Sequence, residues 1–303
     1  MMRILNFGSL NIDYVYEVKH LVLPGETLTS KSFTKFAGGK GANQSAALAK
    51  AGASVLHAGK IGRDGLFLKE KLSELGCDTT LIETSETEIN GHAIIQVNPE
   101  GENAIILYPG SNRTIESSAI DRALEKIGKG DILLLQNEIS RVSEVIQKGK
   151  KRGVTIALNP APMDALAAQL PLELIDILIV NEVECAEYLG VPVRKSDYQA
   201  MAAQLKAKLN VSELIVTLGS QGVIYHGIES FYLPARPVKV VDTTAAGDTF
   251  IGYFLAGKAQ GLKARESVKR AMVAAEICVG IRGAMASIPD KAAVDALWLE
   301  ING

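Results

Sequence analysis

Cysteine and histidine are scarce in this sequence of 303 residues. The three cysteines, Cys77, Cys185 and Cys278, stand far apart and show no paired spacing, which argues against a disulfide framework or a zinc site. This use of cysteine predicts a reducing compartment, and we expect a cytoplasmic protein. The four histidines also lack the spacing that is typical of metal ligands: His20, His57, His92 and His226.

Long apolar runs and a strong excess of one charge are absent as well. No apolar stretch reaches the ~18 residues that are needed to span a membrane, and Met1-Met2-Arg3 leads directly into a predicted strand rather than a signal peptide. The formal net charge is −2, so nucleic acid is a poor candidate partner. The short basic run 148–152 lies at a predicted helix end and is best explained as solvated surface.

What the sequence does contain is a regular alternation of predicted helices and short apolar strands from residue 115 onward. Hydrophobic residues make up 47% of the chain, which is enough for a sizeable core. Continuous apolar strands separated by helices indicate a parallel sheet that is covered on both faces. We therefore predict a three-layer α/β/α fold with a mostly parallel central sheet. The later strands are expected at 131–135, 154–158, 175–180 and 214–217.

A second, smaller sheet is predicted from two segments in the first third of the chain. Residues 14–36 alternate in places between apolar and polar residues and carry Pro24-Gly25 as a turn signal. Residues 89–97 and 103–107 are typical of two strands joined by a hairpin. We expect one domain over residues 1–303, with a small β-sheet lid formed by about 14–36 and 89–108.

The stretch 241–250 combines the end of a β-rich run, a turn of small residues and the start of an apolar helix. The turn closes with a single carboxylate, Asp248. A turn of small residues lets the backbone approach a ligand closely, and the free N–H groups at a helix start favour negative charge nearby. From these residues alone, Asp248 is either a cap that complements the helix dipole or a base beside a phosphate.

A glycine-rich stretch at 37–45 opens another predicted helix. It differs from a P-loop, because Gly41 rather than serine or threonine follows Lys40. Such a loop suits a phosphate or a polyol, and its small residues equally suit a tight turn with close helix packing. Farther upstream, Asn11 and Asp13 lie on one side of an extended chain and suit either a polar ligand or turn chemistry.

Polar residues follow nearly every strand of the predicted parallel sheet. Parallel α/β sheets bind ligands beyond the carboxyl ends of their strands, so one edge of this sheet is the expected site. That edge should gather Glu138, Asn159, Asn181, Glu184, Thr217 and Gly219.

Two of these stretches, 37–45 and 242–250, together resemble the two signatures of the PfkB-type sugar kinases. The first, Gly-Gly-Lys-Gly-Ala-Asn-Gln, is most similar to the ribokinase branch of that family. The resemblance covers nearly the whole chain and implies a ribokinase-like α/β fold. It also implies an ATP-dependent kinase for the primary hydroxyl of ribose or a closely related pentose, with Mg²⁺ and an activating monovalent cation, K⁺. Further segments fit the family pattern in the same order: 8–13, 101–103, 159–162, 181–184 and 217–222.

The resemblance implies a role for each matching residue. Asp248 would be the general base for the sugar hydroxyl, and the backbone N–H groups of Ala245, Ala246 and Gly247 would form an anion hole for the transferred phosphoryl group. The sugar-binding set, beside Asp248, would be Asn11, Asp13, Gly39, Lys40, Asn43 and Glu138. The nucleotide-binding set would be Asn181, Glu184, Thr217, Gly219, Ser220, Gly222 and Gly247, with Glu184 acting indirectly on magnesium. The set around the monovalent cation would be Asp242, Thr244, Ile281, Gly283 and Ser287.

Several functions and one partner remain open under this resemblance. The substrates would be a small sugar and ATP, and the exposed edge of the lid would suit a homodimer. The alternatives are a kinase of the same family for deoxyribose, a ketohexose, a phosphosugar or a nucleoside, and a non-catalytic sugar sensor on the same fold. Lys40 counts against a nucleoside kinase, and Arg113 is the one evident cation for a substrate phosphate.

The sequence also departs from the family pattern in two places. Met272 stands where many relatives carry asparagine or histidine close to the adenine, so the adenine contacts are expected to differ. Four side chains make the lid side bulkier or more polar than a plain ribose site would need. Two interpretations are open, lid packing or surface exposure on the one hand and a different sugar on the other, for these four: Tyr14, His92, Tyr108 and Arg113.

Overall fold

The computed structural model describes residues 2–194 and 197–302. Its strands are β1 (Arg3–Phe7), β2 (Asn11–Glu17), β3 (Ser32–Gly38), β4 (Ser54–Gly62), β5 (Asp78–Ser85), β6 (Gly91–Val97), β7 (Asn103–Tyr108), β8 (Ile132–Gln136), β9 (Thr155–Asn159), β10 (Ile177–Asn181), β11 (Glu213–Thr217), β12 (Val223–His226) and β13 (Ser230–Leu233). Its α-helices are α1 (Lys40–Lys50), α2 (Leu66–Glu74), α3 (Ser117–Leu124), α4 (Val142–Lys151), α5 (Glu182–Leu189), α6 (Tyr198–Leu209), α7 (Ala246–Ala259), α8 (Ala264–Val279) and α9 (Lys291–Asn302).

Nine strands form the main sheet in the order β13-β12-β11-β10-β9-β8-β1-β4-β5. The seven strands from β11 to β5 pair in parallel, and β12 and β13 add an antiparallel edge. From β1 the chain first builds outward through β4 and β5, and later outward on the other side from β8. The order therefore reverses between β1 and β8, and such a reversal opens a crevice at the carboxyl ends of the two strands.

Two apolar cores lie on opposite faces of this sheet because successive strand residues alternate in direction. In β1, Ile4 belongs to one core and Leu5 to the other. The first core also contains Phe254 of α7, and the second contains Ile146 of α4. The helices thus form two layers around the sheet, and the predicted three-layer α/β/α fold is confirmed.

The small sheet has four strands in the order β3-β2-β6-β7. Strand β2 pairs antiparallel with β3 and parallel with β6, and β6 pairs antiparallel with β7. Strand β2 begins at Asn11, so Asn11 and Asp13 lie inside this sheet rather than in the turn after β1. This placement connects the small sheet directly to the crevice at the end of β1.

Several predicted boundaries were wrong for identifiable reasons. The β-rich run at 238–241 forms no strand: Pro234 and Pro237 precede it, Val240 is exposed, and the backbone N–H of Val241 donates to Val279 O at 2.8 Å. Helices α1 and α7 begin at Lys40 and Ala246, before the segments 46–51 and 249–259 for which the sequence predicts helix, because their first turns consist of small and polar residues without apolar periodicity. Within the described residues, no helix combines the length and apolarity required to cross a membrane.

Candidate active site

Asp248 lies in the first turn of α7 and is almost fully buried. Both carboxylate oxygens accept hydrogen bonds from side-chain amides of α1: Asn43 Nδ2 donates to Oδ2 at 3.0 Å, and Gln44 Nε2 donates to Oδ1 at 2.9 Å. Burial raises the pKa of Asp248, whereas the charge of Lys40 and the two amide donors lower it. Within the described residues Asp248 makes no side-chain hydrogen bond to an N–H group of its own helix. A carboxylate in the first turn still complements the helix dipole, so the geometry is compatible with both the cap and the base interpretation.

The entrance to α7 has an unusual backbone. Ala245 precedes the helix with φ of 60°, a left-handed conformation that non-glycine residues seldom adopt. Of the three predicted anion-hole residues, Ala246 already donates its N–H to Thr243 O at 3.3 Å. Gly247 is exposed, and a Cβ placed there would meet no atom within 4 Å. The space above Gly247 is therefore open to a ligand, as an anion site at a helix start requires.

The glycine-rich loop before α1 is closely packed. Gly39 has φ of 91°, and a Cβ there would approach Asn11 N to 2.8 Å. A Cβ on Gly41 would approach Ser9 N to 2.3 Å, so close helix packing accounts for this second glycine. The backbone N–H groups at the start of α1 are already used: Lys40 N donates to Glu138 Oε2 at 3.0 Å, and Gly41 N donates to Ser9 Oγ at 3.2 Å. The loop therefore offers side chains, rather than backbone amides, to a ligand.

Lys40 is surrounded by acidic groups. Burial by itself would lower the pKa of Lys40, but Asp248, Glu138 and Glu184 act in the opposite direction and hold it above its usual value. Burial likewise raises the pKa of Glu138, against the charge of Lys40 and a hydrogen bond from Ser9 Oγ. The lysine therefore keeps its positive charge at the centre of the acidic cluster.

The pKa of Asp13 is strongly raised. Burial, followed by the negative charges of Glu138 and Asp248, raises it from 3.8 to about 7. Its carboxylate lies against Gly38, where a Cβ would stand 2.0 Å from Asp13 Oδ2. Asp13 thus belongs to the same electrostatic cluster as Lys40, although it comes from the small sheet.

The predicted nucleotide residues lie along the neighbouring strand ends. Asn181 and Glu184 form a capping box at the start of α5: Asn181 Oδ1 accepts from Glu184 N at 2.8 Å, and Glu184 Oε2 accepts from Asn181 N at 3.0 Å. Glu184 is buried and within the electrostatic influence of Lys40. Thr217 pairs with Asn181 in the sheet register, and a 3₁₀ turn follows at Gly219–Gln221, which includes Ser220.

Glycines 219 and 222 have different local roles. Gly219 has φ of 52°, and a Cβ there would meet nothing within 4 Å, so its surroundings are open. Gly222 has φ of 105°, and a Cβ there would lie 2.0 Å from Leu233 O. The pairing of β12 with β13 therefore requires Gly222, whereas Gly219 leaves room for a ligand.

Asp242 joins the two predicted cation loops. Its Oδ1 accepts from Thr244 N at 2.9 Å, and its Oδ2 accepts from Gly283 N at 2.9 Å. Ser287 Oγ lies 3.1 Å from Cys278 Sγ, which also contacts Thr244 O at 3.7 Å. Ile281 lies in the same loop with an exposed side chain. Asp242, Thr244, Gly283 and Ser287 are thus brought together by hydrogen bonds, and Ile281 could join the set only through its backbone, because its side chain is aliphatic and exposed.

A comparison with known proteins identifies the family. The model of the pfkB family carbohydrate kinases matches residues 1–291. The ribokinase of Haemophilus influenzae is 37% identical over 289 residues, which cover 94% of each chain. The chain belongs to the pfkB family of carbohydrate kinases. The resemblance predicted from the two signatures is confirmed.

Two further pfkB-family relatives bear on the substrate. The structure of Arabidopsis thaliana ribokinase complexed with ribose and ATP has a TM-score of 0.87 and 32% identity, and the similarity covers 98% of each chain. The deoxyribokinase of Salmonella typhi is 33% identical over 294 residues, which cover 95% of this chain and 96% of that relative. This chain is therefore similar to both pentose kinases over nearly its whole length.

Sequence reasoning missed several polar residues of this pfkB-family site. Gln44, Gln136 and Asn6 form a buried row behind Asp248, and Asn112 donates from Nδ2 to Asn11 Oδ1 at 2.7 Å. The available signal was a polar residue inside an apolar strand, as Asn6 is in β1 and Gln136 is at the end of β8. Asn112 carries no such signal, because it lies in a 3₁₀ turn where asparagine is common.

The four bulky or polar residues of the lid side, three in the small sheet and Arg113 in the 3₁₀ turn after it, contact one another or backbone carbonyls rather than the acidic cluster. Tyr14 contacts His92 with ring centroids 5.7 Å apart, and His92 contacts Tyr108 at 5.2 Å. Tyr14 follows Asp13 in β2, so its side chain points to the opposite face of the sheet. Arg113 donates to the backbone carbonyls of Ile139 and Asn137, at 3.1 and 3.4 Å. The packing interpretation of these residues is favoured over the different-sugar one.

Proposed function

We propose that this chain is an ATP-dependent kinase that phosphorylates the primary hydroxyl of ribose or a closely related pentose, giving ribose 5-phosphate and ADP. One observation carries the proposal: Asp248 stands at the start of α7, buried, with Asn43 bonded to it and Lys40 acting on it electrostatically. A general base, an amide and an ammonium group in one place suit a polyol with one reacting hydroxyl.

In the proposed mechanism Asp248 receives the proton of the attacking sugar hydroxyl. Phosphoryl transfer depends on positioning and charge stabilisation more than on covalent help, so a carboxylate held by two amide donors is suited to this role. The open start of α7 at Ala245, Ala246 and Gly247 would stabilise the charge of the transferred phosphoryl group, because helix N–H groups supply a fixed positive potential. Ala246 would contribute less than Gly247, since its N–H already has a partner.

The proposed sugar site combines acceptors, donors and one positive charge. Asp13 and Glu138 offer carboxylate oxygens to sugar hydroxyls, and Lys40 and Asn43 offer donors. Asn43 Oδ1 is buried without a hydrogen-bond partner in the described structure, which supports a further acceptor for a hydroxyl. The remaining members of the set are Asn11 and Gly39. Gly39 acts indirectly, because only a glycine allows this loop to pack against Ser9 and Asn11.

The proposed nucleotide site extends from Gly247 along the strand ends to Asn181, Glu184, Thr217, Gly219, Ser220 and Gly222. A magnesium ion suits the buried carboxylate of Glu184, which would hold it indirectly through water, since Mg²⁺ prefers oxygen ligands and keeps several waters. When bound, the ion neutralises phosphate charge. Met272 is half-buried and packs against the first core, so the adenine contacts proposed for its position are apolar.

A monovalent cation, K⁺, suits the loops that Asp242 joins. The backbone carbonyls of Thr244, Ile281 and Gly283, with the Ser287 hydroxyl, supply the oxygen ligands that such an ion requires. Asp242 contributes by holding the two loops together, because both of its carboxylate oxygens accept hydrogen bonds from backbone N–H groups. When bound, the ion would stiffen the loop that leads into Ala245.

We also propose a homodimer formed through the small sheet, and a cytoplasmic location. Every residue of β7 is exposed, including Ile105, Ile106 and Leu107, and β7 is an edge strand. Exposed apolar edges favour pairing with another chain. All three cysteines are buried and free, which suits a reducing compartment.

A panel of substrates read out by ADP release tests the proposed function. The panel holds ATP, Mg²⁺ and K⁺ constant and varies the acceptor among ribose, deoxyribose, a ketohexose, a phosphosugar and a nucleoside. We expect the highest kcat/KM with ribose. A clear preference for a non-pentose would contradict the proposal, and tight sugar binding in a calorimeter without ADP release would favour the sensor.

Deoxyribose is the second candidate, because a deoxyribokinase is 33% identical over nearly the whole chain. A phosphosugar is disfavoured, since Arg113 is bonded to two backbone carbonyls rather than presented to the cluster. The ratio of kcat/KM for ribose to that for deoxyribose decides between the two pentoses.

A further inference from the structure

A row of buried amide side chains leads from Asp248 into the central sheet. Gln44 Nε2 donates to Asp248 Oδ1 at 2.9 Å. Gln136 Nε2 donates to Gln44 Oε1 at 2.7 Å and to Asn6 Oδ1 at 2.9 Å. The three amide side chains are at most 1% exposed. We call Gln44, Gln136 and Asn6 the amide row.

The far end of the amide row is anchored on the backbone. Asn6 Nδ2 donates to Gly41 O at 2.7 Å and to Ser45 Oγ at 2.8 Å. A carbonyl oxygen only accepts, so the amide nitrogen of Asn6 must face Gly41 and its Oδ1 must face Gln136. The hydrogen bond between these two residues therefore runs from Gln136 Nε2 to Asn6 Oδ1.

The near end fixes the same direction independently. Asp248, when ionised, only accepts, so Gln44 must present its nitrogen to the carboxylate. The second hydrogen of Gln44 Nε2 goes to Asn159 Oδ1 at 3.3 Å, and Asn159 is itself oriented because its Nδ2 donates to Ile179 O at 3.1 Å. Reversing the Gln44 amide would place its oxygen against two other oxygens. Both ends of the amide row thus enforce one arrangement.

Gln44 differs from its neighbour Asn43 in what it can still bind. Asn43 uses one hydrogen of Nδ2 on Asp248 Oδ2, while its Oδ1 has no partner in the described structure, and Asn43 belongs to the proposed sugar set. Gln44 uses both hydrogens of Nε2 and its Oε1 on protein groups. Its hydrogen bonds are therefore all made within the protein, and its effect on chemistry has to pass through Asp248.

We propose that Gln44 is a positioning residue that, supported by Gln136, orients the Asp248 carboxylate for proton transfer; this rests on the kinase function proposed above. Buried amides cost free energy unless they are paired, and every polar side-chain atom of the amide row except Gln136 Oε1 has a hydrogen-bond partner within the described residues. The hydrogen bonds that are made hold Gln44 in one arrangement. A carboxylate with one oxygen held from inside the protein cannot rotate freely about its last bond. Its other oxygen then remains beside Asn43 and the sugar set.

Gln44→Met tests the proposal, because it removes the donor with little change in volume. We expect kcat for the sugar to fall by about 10- to 100-fold, as for loss of a hydrogen bond to a charged group, while KM changes by less than about threefold. The charged groups that face Asp248 are Lys40, Asp13 and Glu138, and all three remain. Since the lost bond favoured the ionised carboxylate, the acid limb of the kcat profile should move to higher pH by about one unit.

Gln260→Met is the matched control. Gln260 also links α7 to α1, through Nε2 and Ala51 O at 3.0 Å, but it does so at the other end of the two helices. The same chemical change there should leave kcat and the acid limb unchanged. An equal fall in kcat in both variants would mean that helix packing alone is responsible, and the proposal would be overturned.

Gln44→Glu gives a signature that packing does not predict. At low pH the new carboxyl is protonated and still donates to Asp248, whereas at high pH two negative charges oppose each other. We expect kcat to fall again as pH rises, in contrast to the parent chain. A profile with the parent's shape would count against the proposal.

Two further measurements keep the test decisive. If Gln44→Met does not fold, Gln136→Met leaves Asp248 untouched and removes the support of Gln44 Oε1; a smaller fall in kcat in the same direction is expected. If the parent chain phosphorylates no sugar, the proposed function fails, and carbon-13 titration of the Asp248 carboxyl still reports on its orientation. Its pKa should then be higher in Gln44→Met, and an unchanged pKa would refute the positioning role.

Discussion

Asn112 determines which end of the Asn11 amide faces the candidate sugar site. Asn112 Oδ1 accepts from Leu10 N at 3.0 Å, so its nitrogen is left to donate to Asn11 Oδ1 at 2.7 Å. Because a backbone N–H only donates, this sequence of bonds has one direction, and Asn11 is left with its Nδ2 for a ligand. The backbone N–H of Leu10 thus fixes the orientation of both asparagine side chains: Asn112 supports Asn11, and Asn11 faces the candidate sugar site.

Asn112→Asp should weaken sugar binding without changing the chemistry. The new carboxylate accepts from Leu10 N but cannot donate to Asn11, which would then turn its oxygen toward the site. We expect the KM for the sugar to rise by about 10-fold or more, as for a lost hydrogen bond of ~1.4 kcal/mol, with kcat within about threefold. Asn98→Asp, at the β6–β7 turn, is the control. Equal KM values for Asn112→Asp and the parent chain would contradict the assignment.

Asp13 should make both sugar binding and stability depend on pH near neutrality. Its pKa is raised from 3.8 to about 7 by burial and by the neighbouring carboxylates. An ionised carboxylate is the better acceptor for hydroxyl groups, so we expect the KM for the sugar to fall as pH rises from 6 to 8. Asp13→Asn should remove this dependence, and a KM profile in the variant as steep as the parent's would contradict the prediction.

The same shift has a defined sign for stability. Between pH 4 and 7 the folded chain retains a proton on Asp13 that the unfolded chain has lost, so the free energy of unfolding falls as pH rises over this range. Asp13→Asn should therefore stabilise the chain at pH 8 by roughly 2 kcal/mol, after allowance for the screening of a partly exposed group. Urea unfolding at pH 5 and pH 8 measures the effect, which should be smaller at pH 5.

Ala245 offers a test of backbone strain at the helix entrance. An alanine at φ of 60° costs about 1–2 kcal/mol relative to its preferred conformations. Glycine at this position would remove the strain, but it loses more conformational entropy on folding, so the net gain in stability is smaller than the strain. Ala245→Gly should raise the free energy of unfolding by about 0.5–1 kcal/mol. Ala246→Gly, one residue into the helix, should lower it. If both substitutions destabilise the chain in urea unfolding, the strain is absent.

Ile106→Asp tests the proposed dimer. Ile106 is 66% exposed on the edge strand β7, so the substitution costs little within one chain but would bury a charge in an interface. We expect a dimer for the parent chain in sedimentation velocity and a monomer for the variant. Ile228→Asp, on an exposed turn away from the small sheet, should remain dimeric. A parent chain that is monomeric at tens of micromolar would refute the dimer.

Most of the parallel sheet could be predicted from sequence because strands such as β8 and β10 are continuous apolar runs. Edge strand β5 escaped prediction because its sequence, DTTLIETS, is mostly polar. Strands β12 and β13 escaped prediction because they are short and lie next to turns that contain glycine. Of the proposed sugar set, Gly39, Lys40, Asn43 and Asp248 lie in the two signatures, whereas Asn11, Asp13 and Glu138 came from the wider resemblance. The amide row could not be predicted as a unit. Asn6 and Gln136 stand out as polar residues in apolar strands, but whether Gln44 faces Asp248 depends on how α1 and α7 pack, and no local pattern in the chain encodes that contact.

Asp242 and Asn181 illustrate the same limit in a different way. Each was predicted as a ligand-site residue, and the side chain of each accepts hydrogen bonds from backbone N–H groups. Asp242 accepts from Thr244 and Gly283, and Asn181 accepts from Glu184. Sequence alone cannot separate a residue that binds a ligand from one that shapes the loop around it, because both need the same oxygen atom at the same strand end.

The most direct test of the account is the turnover of Asp248→Asn with ribose and saturating ATP. The substitution keeps the size of the side chain and removes its ability to accept the proton, so we expect kcat to fall by about 10²–10⁴-fold with ribose still bound. Asp121→Asn, on the surface beside Lys148, should leave kcat unchanged. If Asp248→Asn turns over ribose at the parent rate, Asp248 is not the general base.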